Sequence, residues 1–195
     1  MKFQGFGLLM VTFLTTIAMA QNESTTTFSN EGSISARGLR LGIVKSILDM
    51  NIKGSKNGSS ASNQDKLDDS LGLSLGYVNL PVQQLGWTSN LTYLNIKEEG
   101  SNANLMRVDG NLAYAFTNTL NLKGGLNLAK FTSTDGGWAQ NMDAAIGFQA
   151  SLGVQITENF GLDVGFTQMN QSGSLGDISV NLRESGTELG LTATF

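Results

Sequence analysis

The chain has no cysteine, no histidine and a single proline, and only 14 % of its 195 residues are charged. Each shortage removes a class of chemistry. Without cysteine there are no disulfides and no thiolate metal sites. Without histidine, Ser-His-Asp catalysis, Cys-His catalysis and histidine metal ligation all fall away. Schemes built on Asp and Glu alone need a defined pocket, and no motif marks one. No catalytic residue, metal or cofactor is therefore expected. Basic charge is also short, with 12 Lys+Arg against 16 Asp+Glu, a net charge of −4 and no basic cluster. That argues against nucleic acid, whose binding rests on Lys and Arg contacts to phosphates.

Long apolar runs are missing after the N-terminus, and the mean hydropathy is −0.05. A helical membrane protein needs roughly 20 consecutive apolar residues per span. A membrane barrel alternates apolar and polar residues, so its average matches that of a soluble protein. Glycine, by contrast, is abundant at 24 residues.

Residues 1–20 read as a cleaved signal peptide. Lys2 supplies the positive start, Phe6 to Ala18 carries no charge, and Ala18-Met19-Ala20 matches the small-x-small cleavage pattern. Cleavage after Ala20 makes Gln21 the mature N-terminus and leaves 11 Lys+Arg against 16 Asp+Glu. Residues 21–37 open on a polar stretch without apolar periodicity, expected to be a flexible periplasmic tail. Residues 38–195 form the remaining domain.

That domain is organised with a period of two and shows no sustained helical spacing. In Met106 to Phe116, the even positions are Met106, Val108, Gly110, Leu112, Tyr114 and Phe116. The odd positions are Arg107, Asp109, Asn111, Ala113 and Ala115. The pattern recurs from Leu120 to Leu128, with Asn121, Lys123, Gly125 and Asn127 on the opposite face. It recurs again from Ala144 to Ile156, with Asp143 counted on the polar face, and from Phe160 to Phe166, with Asp163 opposite the apolar face. Leu71 to Tyr77 and Leu85 to Tyr93 supply two more strands. The first and last strands break parity. Leu39, Leu41 and Ile43 are odd while Leu48, Met50 and Ile52 are even; Ile178, Val180 and Leu182 are even while Leu189, Leu191, Ala193 and Phe195 are odd. A β-bulge near Val44–Ser46 and another near Arg183–Gly186 would restore each pattern.

Eight strands result. The connectors alternate between longer segments rich in Gly, Ser, Asn and charge (Lys53–Asp69, Lys97–Asn104, Thr132–Asn141 and Gln171–Asp177) and short ones (Asn79–Gln84, Thr117–Thr119 and Thr157–Asn159). Long loops at one end and tight turns at the other are the layout of transmembrane barrels. The predicted fold class is all-β, an eight-stranded antiparallel up-and-down transmembrane β-barrel.

Alternation alone does not say which face is wet, and a soluble lipocalin-like barrel would turn its apolar face inward. Three features favour apolar-out. The polar faces are rich in small residues, which suit a narrow lumen. Tyr77, Trp87, Tyr114, Phe116, Phe160 and Phe195 gather at strand ends beside the short turns or at the terminus, as interfacial aromatics do. The chain also ends in Glu188-Leu-Gly-Leu-Thr-Ala-Thr-Phe195. This segment resembles the C-terminal signature of bacterial outer-membrane barrels, and the layout of residues 38–195 resembles the small OmpA/OmpX-type barrels. The resemblance implies a Gram-negative outer membrane, contact with its lipid, and recognition of Leu189, Leu191 and Phe195 by the barrel-assembly machinery. It carries over no functional residue.

On this reading Arg107, Asp109, Lys123, Asp143, Asp163 and Glu188 point into the lumen. They form a structural network of paired charges, since confined charge is costly unless paired; the alternative is a path for ions or small solutes. Lys123 and Asp163 sit at similar distances from their turns and can share a layer. Thr134-Asp-Gly-Gly-Trp138 reads as a turn carrying an exposed Trp, not a phosphate loop, because no helix follows. The long loops are candidates for a surface ligand. The functional expectation is a structural or surface-interaction role without catalysis, the alternatives being a narrow pore and a soluble periplasmic binding barrel. The mass of the protein recovered from the envelope of an expressing Gram-negative cell should correspond to a chain starting at Gln21; an uncleaved mass would contradict the signal-peptide reading.

Overall fold

The computed structural model describes residues 36–195, apart from 58, 99–100, 135–141, 158 and 176. The signal peptide, most of the N-terminal segment and Trp138 lie outside the described residues. Eight strands follow one another in sequence: β1 (Ala36–Lys56), β2 (Ser59–Leu80), β3 (Leu85–Glu98), β4 (Ser101–Ala115), β5 (Leu120–Thr134), β6 (Ala145–Gln155), β7 (Phe160–Leu175) and β8 (Ile178–Thr194). Each pairs antiparallel with its neighbour, and β1 pairs with β8, so the sheet is a closed barrel.

The seam is continuous. Arg40 pairs with Thr194 and the register runs without interruption to Ser55 and Ser179. One step further down, Leu39 N donates to Phe195 O at 3.0 Å and Phe195 N donates to Leu39 O at 2.8 Å. Gly38 sits beside this pair at φ +145°, and a Cβ there would lie 2.0 Å from Phe195 O. Only glycine fits that approach.

The short connectors fall where expected. Thr117 and Thr157 cap their turns, each hydroxyl accepting a hydrogen bond from the amide three residues on, Leu120 and Phe160. The long ones differ from the expected loops. β1 and β2 continue as a hairpin through most of Lys53–Asp69, and β3 and β4 extend to Glu98 and Ser101. The polar composition there reflects water around strands rather than loss of pairing.

The two expected bulges are also corrected. In β8 there is none near Arg183–Gly186, because its registers with β7 and β1 are both unbroken. In β1 the shift lies between Ser46 and Leu48, and the extra residue belongs to β2, which places 68 and 69 opposite Ile47. Even positions of β1 and β8 therefore face inward along their whole length. The parity change records a change of surroundings, not of backbone geometry.

Below the level of Ser46 the outward positions are apolar and exposed. Examples are Leu73 at 67 %, Leu126 at 65 % and Leu112 at 62 % exposure. From Leu120 to Leu128, at about 3.3 Å per residue and about 40° tilt, this band is about 20 Å tall before side chains are added. Such a belt matches hydrocarbon and rules out the lipocalin-like arrangement, whose apolar side faces in. Aromatics edge the belt on the short-turn side: Tyr77 stacks on Trp87 at 5.5 Å, and Tyr114 meets Phe116 edge-on at 5.1 Å. Phe160 and Phe195 are exposed beside them.

Above that level the polarity inverts. Outward positions become Asp49, Asn51 and Lys53 on β1, Asn95 and Lys97 on β3, Gln168 and Asn170 on β7, and Arg183 and Ser185 on β8, while inward positions become apolar. The barrel thus continues past the membrane as a water-exposed barrel with an oily core. Replacing Gly38 with Ala should destabilise the closed barrel by about 1–3 kcal/mol, seen as a lower temperature for loss of the fast-migrating folded band on a gel; an unchanged temperature would show that the seam tolerates a side chain.

Candidate functional site: the stratified lumen

The interior is arranged in three tiers. At the short-turn end Ala36, Val78, Leu80, Ala113 and Ala115 form a small buried apolar cluster. At the other end Leu48, Met50, Leu94, Ile96, Leu105, Phe131, Met169 and Leu182, with several smaller residues, form a larger one. Between them lies the polar tier.

Two charge clusters build that tier. In the lower one, Asp163 on β7 is shared: its Oδ2 accepts from Arg40 Nη2 and its Oδ1 from Lys123 Nζ, both at 2.5 Å. Arg40 Nη2 also donates to Thr192 Oγ1 at 2.7 Å. In the upper one, Arg107 grips Glu188 with both terminal nitrogens, the Nη2–Oε2 contact being 2.8 Å. Arg107 Nε lies 2.8 Å from Asp109 Oδ1, Ser46 Oγ donates to Glu188 Oε1 at 3.0 Å, and Thr92 Oγ1 donates to Asp109 Oδ2 at 3.4 Å. A bidentate Arg–carboxylate pair is the strong form of this contact. Amides fill the space between: Gln149 Nε2 donates to Asn111 Oδ1, and Asn111 Nδ2 to Thr88 Oγ1.

Strand parity puts these groups together. Arg107, Asp109 and Asn111 alternate with outward Met106, Val108 and Gly110, so one strand delivers three polar groups to the lumen. The network holds three cations, Arg40, Arg107 and Lys123, and three carboxylates, Asp109, Asp163 and Glu188. Its formal charge is zero, which is what a confined low-dielectric interior requires.

Of the residues expected in the lumen, Arg107, Asp109, Lys123, Asp163 and Glu188 are there. Lys123 and Asp163 do share a layer. Asp143 is the correction: it precedes β6, is exposed, and its amide donates to Ser172 O at 2.8 Å. The strand starts at Ala145, so Asp143 never enters the alternation that pointed it inward. Arg40, Ser46 and Thr92 were missed. Arg40 was legible, since it lies between outward Leu39 and Leu41. Glu184 was missed as well: it is buried among the upper apolar residues, and neither carboxylate oxygen has a hydrogen-bond partner among the described residues. It lies above the belt, and burial pushes its carboxyl up to about 8. Leu189, Leu191 and Phe195 face outward and are exposed. Among the described residues no group of His, Cys, Asp and Glu is placed to hold a metal ion.

A closed eight-stranded barrel with a lipid-facing belt, an interfacial aromatic edge and a polar tier inside is a transmembrane barrel of the small outer-membrane type. Comparison with solved structures agrees on the fold. The outer-membrane protein AlkL, solved in lipid bilayers, superposes with a TM-score of 0.50 at 12 % identity, covering 88 % of this chain and 94 % of that one. Neisserial surface protein A matches at a TM-score of 0.42 and 19 % identity over 85 % of this chain and all of its own. OprG from Pseudomonas aeruginosa matches at 0.43 and 15 % over 83 % of this chain and 98 % of its own. No family model and no curated protein sequence matches the chain. At 12 % identity the likeness to AlkL is one of fold.

Asp163 is the keystone of the lower cluster, because its removal leaves two cations without a carboxylate. Asp163→Asn should cost about 3–5 kcal/mol in urea unfolding in lipid, and adding Lys123→Met should recover part of it. A single variant as stable as the parent would mean that water already screens the pair.

Proposed function

We propose that this chain is an integral barrel of the bacterial outer membrane with a structural or surface-interaction role, without catalysis and without an open path through its lumen. The observation that carries the reading is the stratified interior. Leu48, Leu94, Leu105, Phe131 and Met169 are between 0 % and 1 % exposed, although they line what would be the mouth of a channel. Side chains beside a conducting path touch water. Below them the charges are matched three to three and held by side-chain contacts, so no carboxylate or cation is left to attract an ion. Enzymatic work finds no support either, because Asp109, Asp163 and Glu188 are engaged with Arg107, Arg40 and Lys123 and Glu184 is enclosed by apolar side chains, so none is presented to an open cleft.

The surface-interaction part rests on the end away from the short turns. The last β2–β3 pair is Asp69 with Lys97, whereas β2 continues paired to β1 up to Ser59. β7 and β8 rise alongside to Leu175 and Ile178. A four-stranded wall therefore projects on one side, with Ser59 to Gln64 exposed. The exposed hydroxyls of Ser59, Ser60 and Ser62 offer hydrogen bonds to a partner. With the termini in the periplasm, this wall faces outward from the cell. The lipid-facing Leu189, Leu191 and Phe195 support the reading of this last strand as the segment met by the assembly machinery.

The mature protein in planar bilayers at pH 6 should show no reproducible conductance steps. Steps that Asp109→Asn or Asp163→Asn alters would overturn the sealed-lumen reading in favour of a narrow pore. Cells displaying a form with the β1–β2 hairpin trimmed level with β3 should keep a heat-modifiable barrel and lose surface adhesion; unchanged adhesion would move the interaction elsewhere.

A further inference from the structure

We propose that Glu184 is a proton-operated latch on the upper apolar tier: with its carboxyl neutral the tier closes, and with its carboxyl ionised the tier opens to water. The argument starts from position. Glu184 faces inward from β8, and its register partners are Met50 on β1 and Met169 on β7. Both belong to the upper apolar cluster. The carboxyl is 1 % exposed, and neither oxygen meets a donor among the described residues. A carboxylate in that setting has lost its hydration and gained nothing in return, which costs several kcal/mol.

The groups around it do not supply the missing charge. From β1 it faces Met50, flanked by Leu48 and Ile52, and from β7 it faces Met169 and Gln171; none of these titrates. Arg107 on β4 is the cation that acts on it, but Arg107 is already held by Glu188 and Asp109. A third carboxylate on one guanidinium would break the neutrality of the tier below. Gln171 does not stabilise the charge either. It is buried on the adjacent strand, level with Leu182, and its amide nitrogen and oxygen are also without partners. The amide makes no hydrogen bond to the carboxyl, so the neighbouring strand supplies no donor to an ionised Glu184.

The direction of the response follows by linkage. In the closed tier burial holds the carboxyl at about 8, against an ordinary value of 4.5 once it is hydrated. The closed form keeps its proton over that window and the open form does not. Closure is fully favoured below the hydrated value. The opening equilibrium rises about tenfold per pH unit up to the buried value and is flat above it.

Because the chain has no cysteine, a single one reports on the tier cleanly. The mature protein in lipid carries Leu94→Cys, buried in the upper tier, and its labelling rate by a small membrane-impermeant thiol reagent is divided by that of exposed Asn181→Cys. From pH 6 to pH 9 this ratio should rise at least tenfold with Glu184 present and change less than twofold with Glu184→Gln. A carboxyl carbon NMR titration of protein with its native Glu184, assigned by loss of the signal in that variant, should find a midpoint near 8. A midpoint below about 6, or the same rise in the variant, overturns the latch. If Glu184→Gln does not fold, Glu184→Met serves the same purpose. A lumen that is sealed at pH 6 but whose labelling ratio ignores Glu184 overturns the latch and leaves the sealed-barrel reading standing.

Discussion

Backbone hydrogen bonding in hydrocarbon is the constraint on which the rest of this structure depends. Lipid offers no partner to an N–H or C=O group, so a sheet that crosses a membrane must close on itself. Here closure is made by β1 and β8, whose ladder runs from Leu39 and Phe195 to Ser55 and Ser179 without a slip. Two consequences follow. Strand direction and number are set, because each strand can pair only with its sequence neighbours and the last must return to the first. The interior also becomes narrow, so whatever points inward has to fill the space and satisfy its own polar groups.

The lumen meets that demand differently at different heights. Within the belt, lipid takes the apolar face, and the inner face is left with Arg40, Arg107, Asp109, Lys123, Asp163 and Glu188. These are tolerable only because they neutralise one another at close range. Beyond the belt the outer face meets water, and the apolar residues move inside. The same backbone, with the same in–out alternation, supports both arrangements. The junction lies where Ser46 donates to Glu188 and Arg107 reaches across from β4. Glu184 stands just above it, a polar group on the wrong side of the boundary.

Most of the architecture was legible because period-two alternation is a local property. The eight strands, the three short turns and the shared layer of Lys123 and Asp163 all follow from counting along the chain. The long connectors differ from expectation because polar, Gly- and Ser-rich composition does not by itself distinguish a loop from a strand. A strand with water on its outer face carries the same residues, and Ser59 to Gln64 is one. The parity breaks were misjudged for a related reason. A single apolar face was assumed for the whole strand, so Leu48, Met50 and Val180 seemed to require bulges. Asp143 was placed inside by extending an alternation two residues past the start of its strand.

By itself, then, the sequence determined that this is a closed up-and-down barrel, which edge carries the aromatics, and which charges are available to the interior. These depend on the identity and spacing of neighbouring residues. Only the tertiary structure decided where the membrane stops. The change from apolar-out to apolar-in is defined by what lies across the barrel from each residue, and residues such as Leu48, Leu94 and Phe131, distant in the chain, meet only after the sheet has closed. The same holds for the isolation of Glu184. Nothing beside it in the chain shows that its partners across β1 and β7 are methionines, or that Arg107, the cation that acts on it, is already held.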